Sequence, residues 1–475
     1  MPQVEFTAFG NPYSVPFGFE QIQRACRRHG IHKRDRVFTH EKTVWLWLAQ
    51  IIAGGQSCSD AVARMSLYQR ARGRAISAST GAYCQARKRI KSQVIRDLVR
   101  ETARALEREC DEHWIIDRPA WAVDGTGIVL QDTEAIREQF PKTKQLADGT
   151  GMPQARVLFV NSIATGAILT AEIGASLGKG TGENSLLRET WTSLRPEDVL
   201  VGDRLYQGYE SMTLLALQQV ATVFRRNKQL RTAGTPTKQR IARNDRIVEM
   251  LRGFRTRRAL PDNMRQLVPW KHDMRLSRYV VDVCNSREED KDVRLVSTLT
   301  SPRYTLSDLA TLYEARWNVE LDIRSFKHDL GGAMLKCKTP EMLEKELLML
   351  ALANNVVRCL AAMAARRANC AAREISFRET MRYMDRYSSK LDLSDSVEQG
   401  RLFHHMLDQI SEHRVGDRPG RYEPRAWKYR GSPKPYMQTP RHEARARKLY
   451  QGDDKGKKHR SQNPKRRRGQ KPGTH

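Results

Sequence analysis

The chain has 475 residues, with 83 Lys and Arg against 54 Asp and Glu, so its formal net charge is +29. This length allows a sizeable core and roughly two to four domains, and so basic a chain is expected to bind nucleic acid ahead of an anionic membrane surface or a ribosomal type of structural role. No apolar run reaches the roughly 20 residues that span a bilayer and no secretory signal pattern is present, so a membrane is not expected as a partner.

Residues 1–115 are predicted to be mostly helical and to form an N-terminal DNA-binding domain. The apolar segment TVWLWLAQIIAGG is predicted as a helix that stops at its two glycines. A later helix is strongly basic, and its candidate contacts to DNA phosphates are Arg87, Lys88, Arg89 and Lys91. A helical packing subdomain with a solvated basic face explains this pattern equally well, because no sharp helix-turn-helix motif is present.

From residue 116 the pattern changes to short apolar strands with interleaved helices, which predicts an α/β domain with a mixed sheet. The strand AWAVDGTG carries Asp124, a charge that is costly there unless a partner or a metal neutralises it. The strand DVLVGD ends at Asp203, and α/β folds place chemistry at the ends of strands. Both acids have structural alternatives: a turn cap with Gly125 for the first, and an ion pair with Arg204 for the second.

Residues 211–304 are predicted to form a β-rich basic insertion that interrupts the α/β domain. Between residues 221 and 260 there are twelve Lys and Arg residues but only two acids, Asp245 and Glu249. So strong a local excess favours a surface that contacts phosphates over a solvated loop system. Trp270 is the only tryptophan of the insertion, and a buried core position is one explanation for it.

The α/β domain is predicted to resume at residues 305–375, beginning with the helical stretch LYEARWNVELDIRSFKHDLGG. On a helix of about 3.6 residues per turn, the spacing of four side chains places them on one face: Tyr313, Arg316, Glu320 and Lys327. A carboxylate binds a metal ion, while the other three groups suit phosphate oxygens. The alternative is a solvated polar face, which predicts that all four side chains point to solvent, remote from the two strand acids.

The last third of the chain is predicted to be helical and then disordered. An apolar helix at 340–366 is expected to be a core helix or a subunit contact, because it carries too many charges to span a membrane. Residues 376–450 are predicted to form a C-terminal helical region that takes part in dimerisation. Residues 451–475 are predicted to be a disordered basic tail, since PKRRRGQKPG cannot build a core.

Asp124, Asp203 and Glu320 are far apart in the sequence, yet two strand acids and one helix acid can converge on one hard cation. Mg²⁺ prefers carboxylate oxygens and keeps several of its waters. Two such ions about 4 Å apart activate an attacking oxygen and stabilise a leaving oxygen in phosphodiester chemistry. We therefore expect Mg²⁺ or Mn²⁺ as the cofactor, bound as two ions.

These motifs together resemble the bacterial DDE transposases of the insertion-sequence-four family, a part of the RNase H-like superfamily. The family pattern of Tyr, two residues, Arg, three residues, Glu, six residues, Lys is met in full by the four residues of the helical stripe. VDGT around Asp124 and VGDRLY around Asp203 resemble the first two acid motifs. The resemblance extends from about residue 40 to residue 450.

The resemblance implies an RNase H-like catalytic domain at 116–210 and 305–375, with Asp124, Asp203 and Glu320 as its metal-binding triad. It implies that Tyr313, Arg316 and Lys327 hold DNA phosphates near the cut. Relatives use the insertion to support a DNA hairpin, sometimes trapping a flipped base with an aromatic, and Trp270 is the candidate here. Gly182 and Glu183 belong to a recurrent family segment to which the sequence assigns no role.

The implied activity is cut-and-paste DNA transposition by a bacterial enzyme that acts on the nucleoid in the cytoplasm. Water attacks first and leaves a 3′-hydroxyl, which attacks the opposite strand to form a hairpin, and the reopened end attacks target DNA. The implied partners are double-stranded DNA, as inverted-repeat ends and as target, and a second subunit in a homodimer on DNA. Two alternatives stay open: a nuclease without strand transfer, and a transposase-derived DNA-binding regulator.

Overall fold

The computed structural model describes residues 12–13, 16–32, 36–142, 151–178, 180–227, 235–253, 262–281 and 292–416. The predicted tail at 451–475, and the part of the predicted C-terminal region beyond residue 416, lie outside these ranges. The described residues are organised around a nine-stranded mixed sheet that has apolar clusters on both faces.

The N-terminal region is helical, as its pattern predicts. Its helices are α1 (Phe19–Arg28), α2 (His40–Ile52), α3 (Cys58–Arg70), α4 (Gly81–Arg89) and α5 (Ser92–Glu109). The glycine pair after α2 takes the left-handed backbone conformation that ends a helix, with φ of +83° at Gly54 and +71° at Gly55.

The first five strands form one half of the sheet. They are β1 (Ala120–Val129), β2 (Gln154–Ser162), β3 (Ile168–Ala175), β4 (Val199–Gly202) and β5 (Ala221–Arg225). β1, β2 and β3 are joined as antiparallel neighbours, whereas β4 is parallel to β1 and β5 is parallel to β4. The helices between these strands are α6 (Glu134–Gln139), α7 (Glu183–Thr190) and α8 (Tyr209–Leu217).

The basic region after β5 extends the same sheet. Its elements are β6 (Thr237–Ala242), β7 (Asp245–Leu251), α9 (Asp262–Arg265), β8 (Lys271–Val280) and β9 (Asp292–Ser297). β9 pairs with β5, so the strand order across the sheet is β3-β2-β1-β4-β5-β9-β8-β7-β6. The predicted insertion limit at residue 211 falls inside α8, and β5, which lies within the predicted insertion, pairs with β4 of the α/β domain.

The stretch that carries the polar stripe is not one continuous helix, and this prediction was wrong. It forms α10 (Leu306–Glu314) and α11 (Trp317–His328). Between them, the N–H groups of Arg316, Asn318 and Val319 bond to carbonyls three residues back rather than four. Such 3₁₀-type bonds tighten the chain, so the four side chains do not follow a single straight helix.

The remaining helices are α12 (Pro340–Arg367), α13 (Phe377–Leu393) and α14 (Ser396–Ser411). α12 is long and apolar enough to cross a membrane, but 89% of its most apolar stretch is buried inside the protein. It packs against α5, α2, α14 and β3 as a central core helix. The prediction of a core helix is therefore confirmed, and most of the apolar surface of this helix is covered within the chain.

Alternating residues of the sheet face two separate apolar clusters. Ala122 and Val201 pack on what we call the front face, together with residues of α10, α11, α12 and the N-terminal helices. Val123 and Leu200 pack on the back face, together with residues of α7 and α8. Because side chains alternate along a strand, each strand residue can be assigned to one of these faces.

Candidate active site

The two strand acids lie at the same edge of the sheet, and their positions belong to its front face. In the parallel pairing of β1 with β4, Ala122 is opposite Val201. Asp124 and Asp203 each follow two residues later, so a continued register would place them opposite one another on the front face. The sequence predicted both strands, and the fold brings their acids to one place.

The helix that carries Glu320 lies over this edge. Val319 and Phe326 of α11 are buried in the front-face cluster. The Phe326 ring lies 4.8 Å from the Phe159 ring, centroid to centroid, and Phe159 pairs directly with Asp124 across β1 and β2. The third acid therefore sits on a helix that packs on the same face, and beside the same strand, as the other two.

The acids act on one another electrostatically. Burial raises the pKa of Asp124 to about 6, and the negative charges of Glu320 and Asp203 contribute to that rise. The Gly125 N–H, which donates to Asp124 Oδ1 at 2.8 Å, and the Arg316 guanidinium oppose it. A carboxyl group whose pKa is raised by burial and by neighbouring acids marks a site that gains from a cation or an added proton.

The four residues of the stripe are more buried than a solvated face allows. Tyr313 is only 8% exposed, and burial raises the pKa of its hydroxyl, so it is neutral at physiological pH. The Arg316 Nη2 donates to Glu320 Oε1 at 3.3 Å, and the two side chains are 14% and 36% exposed. Burial lowers the pKa of Lys327. The expectation that all four point to solvent is not met.

Burial alone would lower the pKa of Arg316, yet its surroundings raise it. The negative charge of Glu320 and that of Asp124 contribute, as does the nearby Tyr313, whose ring centre lies 5.7 Å from the guanidinium carbon. The Arg316 Nε is buried and has no hydrogen-bond partner among the described residues. This guanidinium is thus a fixed positive charge with an unused donor beside the acids.

The donor set fits a hard divalent cation in its chemistry, since all three candidate ligands are carboxylates. In this conformation the acids do not close around a common point. Among the residues that the structure describes, no group of three or more His, Cys, Asp or Glu side chains is arranged to hold a metal ion. Asp124 accepts a hydrogen bond from the N–H of the next residue of its strand, Asp203 accepts one from an N–H of its own turn, and Glu320 is paired with Arg316.

Trp270 is not a core residue. Its side chain is 50% exposed, and the Arg252 guanidinium carbon lies 5.3 Å from its ring centre. Leu251 and Leu267, on neighbouring segments, are also exposed. The explanation that places Trp270 in a buried core is therefore wrong, and an aromatic surface remains next to a guanidinium.

Of the basic residues near α4, Arg87 points inward. Its guanidinium carbon lies 3.9 Å from the Trp47 ring centre, and its nitrogens contact the sulfurs of Cys58 and Cys337 at 3.3 and 3.7 Å. The interpretation of Arg87 as a DNA contact is wrong, because an arginine held between an indole and two thiols does not reach phosphate. Among its neighbours, the Lys88 and Lys91 side chains are exposed and Arg89 is half-buried.

Two acids near the candidate site were assigned no function from the sequence. Asp322, two residues after Glu320, is 1% exposed and is bound by Arg358 and Arg373. The sequence indicates that Asp322 is buried only through helical spacing, which places it on the same side of the helix as the apolar residues. Glu183 lies against Gly125, the residue that follows Asp124, and its segment was singled out only by its resemblance to relatives.

Comparisons with known proteins show the family of this chain. Residues 116–356, half of the chain, match the family described as the transposase DDE domain. The transposase InsG for insertion sequence element IS4 of Escherichia coli strain K12 is 22% identical over 431 residues, covering 87% of this chain and 92% of that protein. The piggyBac transposase, solved by cryo-EM as a synaptic complex with hairpin DNA, covers 86% of each chain at 11% identity and a TM-score of 0.40. The chain therefore belongs to the family of the transposase DDE domain.

Proposed function

We propose that this transposase binds the terminal inverted repeats of its element, cuts the DNA at both ends through a hairpin intermediate and joins the ends to target DNA. The observation that carries the proposal is the packing of α11, with Glu320, on the sheet face and edge at which Asp124 and Asp203 lie. The mixed sheet, extended by β6–β9 between β5 and α10, agrees with the predicted RNase H-like catalytic domain interrupted by an insertion.

Asp124, Asp203 and Glu320 would hold the divalent ions, Mg²⁺ or Mn²⁺. When bound, these ions activate the attacking oxygen and stabilise the leaving oxygen of the phosphodiester. For the three acids to bind a shared ion, Glu320 must break its hydrogen bond with Arg316 and bind the ion instead. The released Arg316, with its buried and unpaired Nε, then offers donors to a phosphate oxygen.

Tyr313 and Lys327 would complete the phosphate contacts. The neutral Tyr313 hydroxyl donates one hydrogen bond without adding negative charge, and Lys327 supplies a compact positive charge farther along α11. The chain's net charge of +29 favours DNA binding over the whole surface, and a homodimer would hold one DNA end in each subunit. α13 and α14, with the exposed Leu393 and Val397, are the proposed dimer contact.

A reaction with two DNA substrates tests the function. Duplex DNA that carries the element's ends, and the same duplex with scrambled ends, are incubated with the full chain and Mg²⁺. We expect cleavage and hairpin products only with the true ends, and joined products when pre-cut ends and target plasmid are supplied. Cleavage without joining would replace the proposal with a nuclease, and sequence-specific binding without cleavage would replace it with a DNA-binding regulator.

Substitution of Trp270 tests the role of the insertion. We expect Trp270→Ala to slow hairpin formation with end DNA while the first strand is cut at the wild-type rate. Loss of one stacked base costs about 1–3 kcal/mol. Because the side chain is half exposed, the unfolding midpoint should not change. Trp270→Phe, which keeps an aromatic surface, is the matched control and should retain most of the hairpin yield; equal rates in all three proteins would remove Trp270 from the reaction.

The raised pKa of Asp124 predicts how stability depends on pH in the metal-free protein. A folded pKa of about 6 lies above the ordinary value of 3.8, so the folded state holds a proton that the unfolded state releases. Stability attributable to this group therefore falls as pH rises from about 4 to 6. We expect Asp124→Asn to stabilise the metal-free protein at pH 7.5 by about 1–2 kcal/mol, after allowance for solvent screening. Urea unfolding at pH 4.5 and 7.5 measures this; an equal effect at both values would contradict it.

A further inference from the structure

Glu183 is a carboxylate beside the catalytic strands to which the proposed chemistry gives no role. It is the first residue of α7 and lies against Gly125, the residue that follows Asp124. A Cβ added at Gly125 would lie 2.5 Å from the Glu183 carboxyl carbon, so a larger residue would displace the carboxylate. Glu183 therefore packs directly on the backbone of β1, on the side opposite to the Asp124 side chain.

The same helix start holds the turn that carries Asp203. The Tyr206 hydroxyl donates to Glu183 Oε2 at 2.8 Å, and Tyr206 is 1% exposed. The Asn184 side chain donates to the Leu205 carbonyl at 3.1 Å. Within the turn, the Leu205 N–H donates to Asp203 Oδ1 at 2.7 Å. Two adjacent residues of α7 thus bind the two residues that close the Asp203 turn.

The start of α7 is itself fixed to the sheet. Arg156 of β2 donates to the Thr181 carbonyl at 3.0 Å, and its Nε lies 3.7 Å from Glu183 Oε1. A carboxylate in the first turn of a helix is also stabilised by the unpaired N–H groups there. The Glu183 carboxylate is therefore held at a defined place between β1 and the Asp203 turn.

We propose that Glu183 and Tyr206 are positioning residues that set the separation between Asp124 and Asp203, an inference that rests on the proposed function of those acids. Asp203 follows the last residue of β4 and lies outside the pairing of that strand with β1 and β5. The Tyr206–Glu183 hydrogen bond supplies the missing constraint from the back face. Partners of this kind orient the ligands of metal sites without touching substrate.

Two single variants and their combination test the proposal: Tyr206→Phe, Glu183→Gln and the double variant. In each we expect faster hydrogen exchange in the 203–208 turn and weaker Mn²⁺ binding by titration, by about 10- to 100-fold. The binding of end DNA without metal should be unchanged. Because both substitutions remove the same hydrogen bond, the double variant should bind Mn²⁺ no more weakly than the more severely affected single variant. Glu189→Gln, an exposed acid on the same helix, is the matched control and should behave as wild type.

The outcomes separate this proposal from the proposed function. Wild-type exchange and Mn²⁺ affinity in both single variants would overturn the positioning role, as would a lower unfolding midpoint without a local change in the turn. If Glu183→Gln does not fold, Tyr206→Phe, which removes one hydroxyl, decides alone. If the wild-type protein cuts no end DNA but the exchange and Mn²⁺ shifts are found, the positioning role stands and the transposition proposal fails.

Discussion

Glu320→Gln is expected to abolish cleavage of end DNA by this protein while leaving DNA binding intact. Glutamine keeps the size of the side chain, and its oxygen can still accept the hydrogen bond from Arg316 that Glu320 accepts at 3.3 Å. Only the negative charge is lost. If that charge holds a divalent ion, about 4 kcal/mol of transition-state stabilisation disappears, which is about a 1,000-fold fall in rate.

The measurement is single-turnover cleavage of labelled end DNA with Mg²⁺, beside a binding assay without metal. Glu314→Gln is the matched control, because Glu314 is an exposed acid at the end of α10 and six residues away. A second readout needs no activity. Since the Glu320 charge helps to raise the pKa of Asp124, the variant should lower that pKa in the metal-free protein. Retained cleavage by Glu320→Gln would refute the assignment of Glu320 to the triad.

Local sequence patterns were enough to place the two strand acids. The strands around Asp124 and Asp203 are short apolar runs bounded by turn residues, and the structure has β1 and β4 where the sequence predicts them. Their meeting at one edge depends on the parallel pairing of β1 with β4, which no local pattern specifies. From the residues alone, the convergence of these acids with Glu320 was a possibility, and the resemblance to a family then implied that the three form one metal-binding triad.

The predictions that were wrong concern side chains whose orientation depends on contacts that local sequence patterns do not specify. A basic residue on a short helix is expected to be exposed to solvent. Arg87 instead points inward and lies over the ring of Trp47, forty positions earlier in the chain. Similarly, helical spacing predicted one stripe from Tyr313 to Lys327, but the chain tightens at Arg316. Helical spacing predicts the face of a helix on which a residue lies. It does not predict the individual contact that turns a side chain away from that face.

Asp322 shows the same limit, and its replacement should have the largest effect on stability. The carboxylate is 1% exposed, accepts a hydrogen bond from Arg358 at 2.7 Å, and accepts two from Arg373 at 3.0 Å each. Arg373 also donates to the carbonyls of Ser162 and Ile163 at the end of β2. Asp322 thus fastens α11 to α12 and to the sheet.

We expect Asp322→Ala to lower the free energy of unfolding by about 3–5 kcal/mol, because it leaves the buried charge of Arg358 without its partner. Urea unfolding measures the loss, and hydrogen exchange should locate it in α11. Asp329→Ala, at the end of the same helix, is the matched control. Asp329 pairs with Arg378, whose side chain is 67% exposed, so its removal should cost about 1 kcal/mol or less. Because α11 also carries Glu320, Asp322→Ala should slow cleavage even without urea, at a temperature at which the variant is folded. Equal losses in the two variants would show that Asp322 does not anchor the catalytic helix.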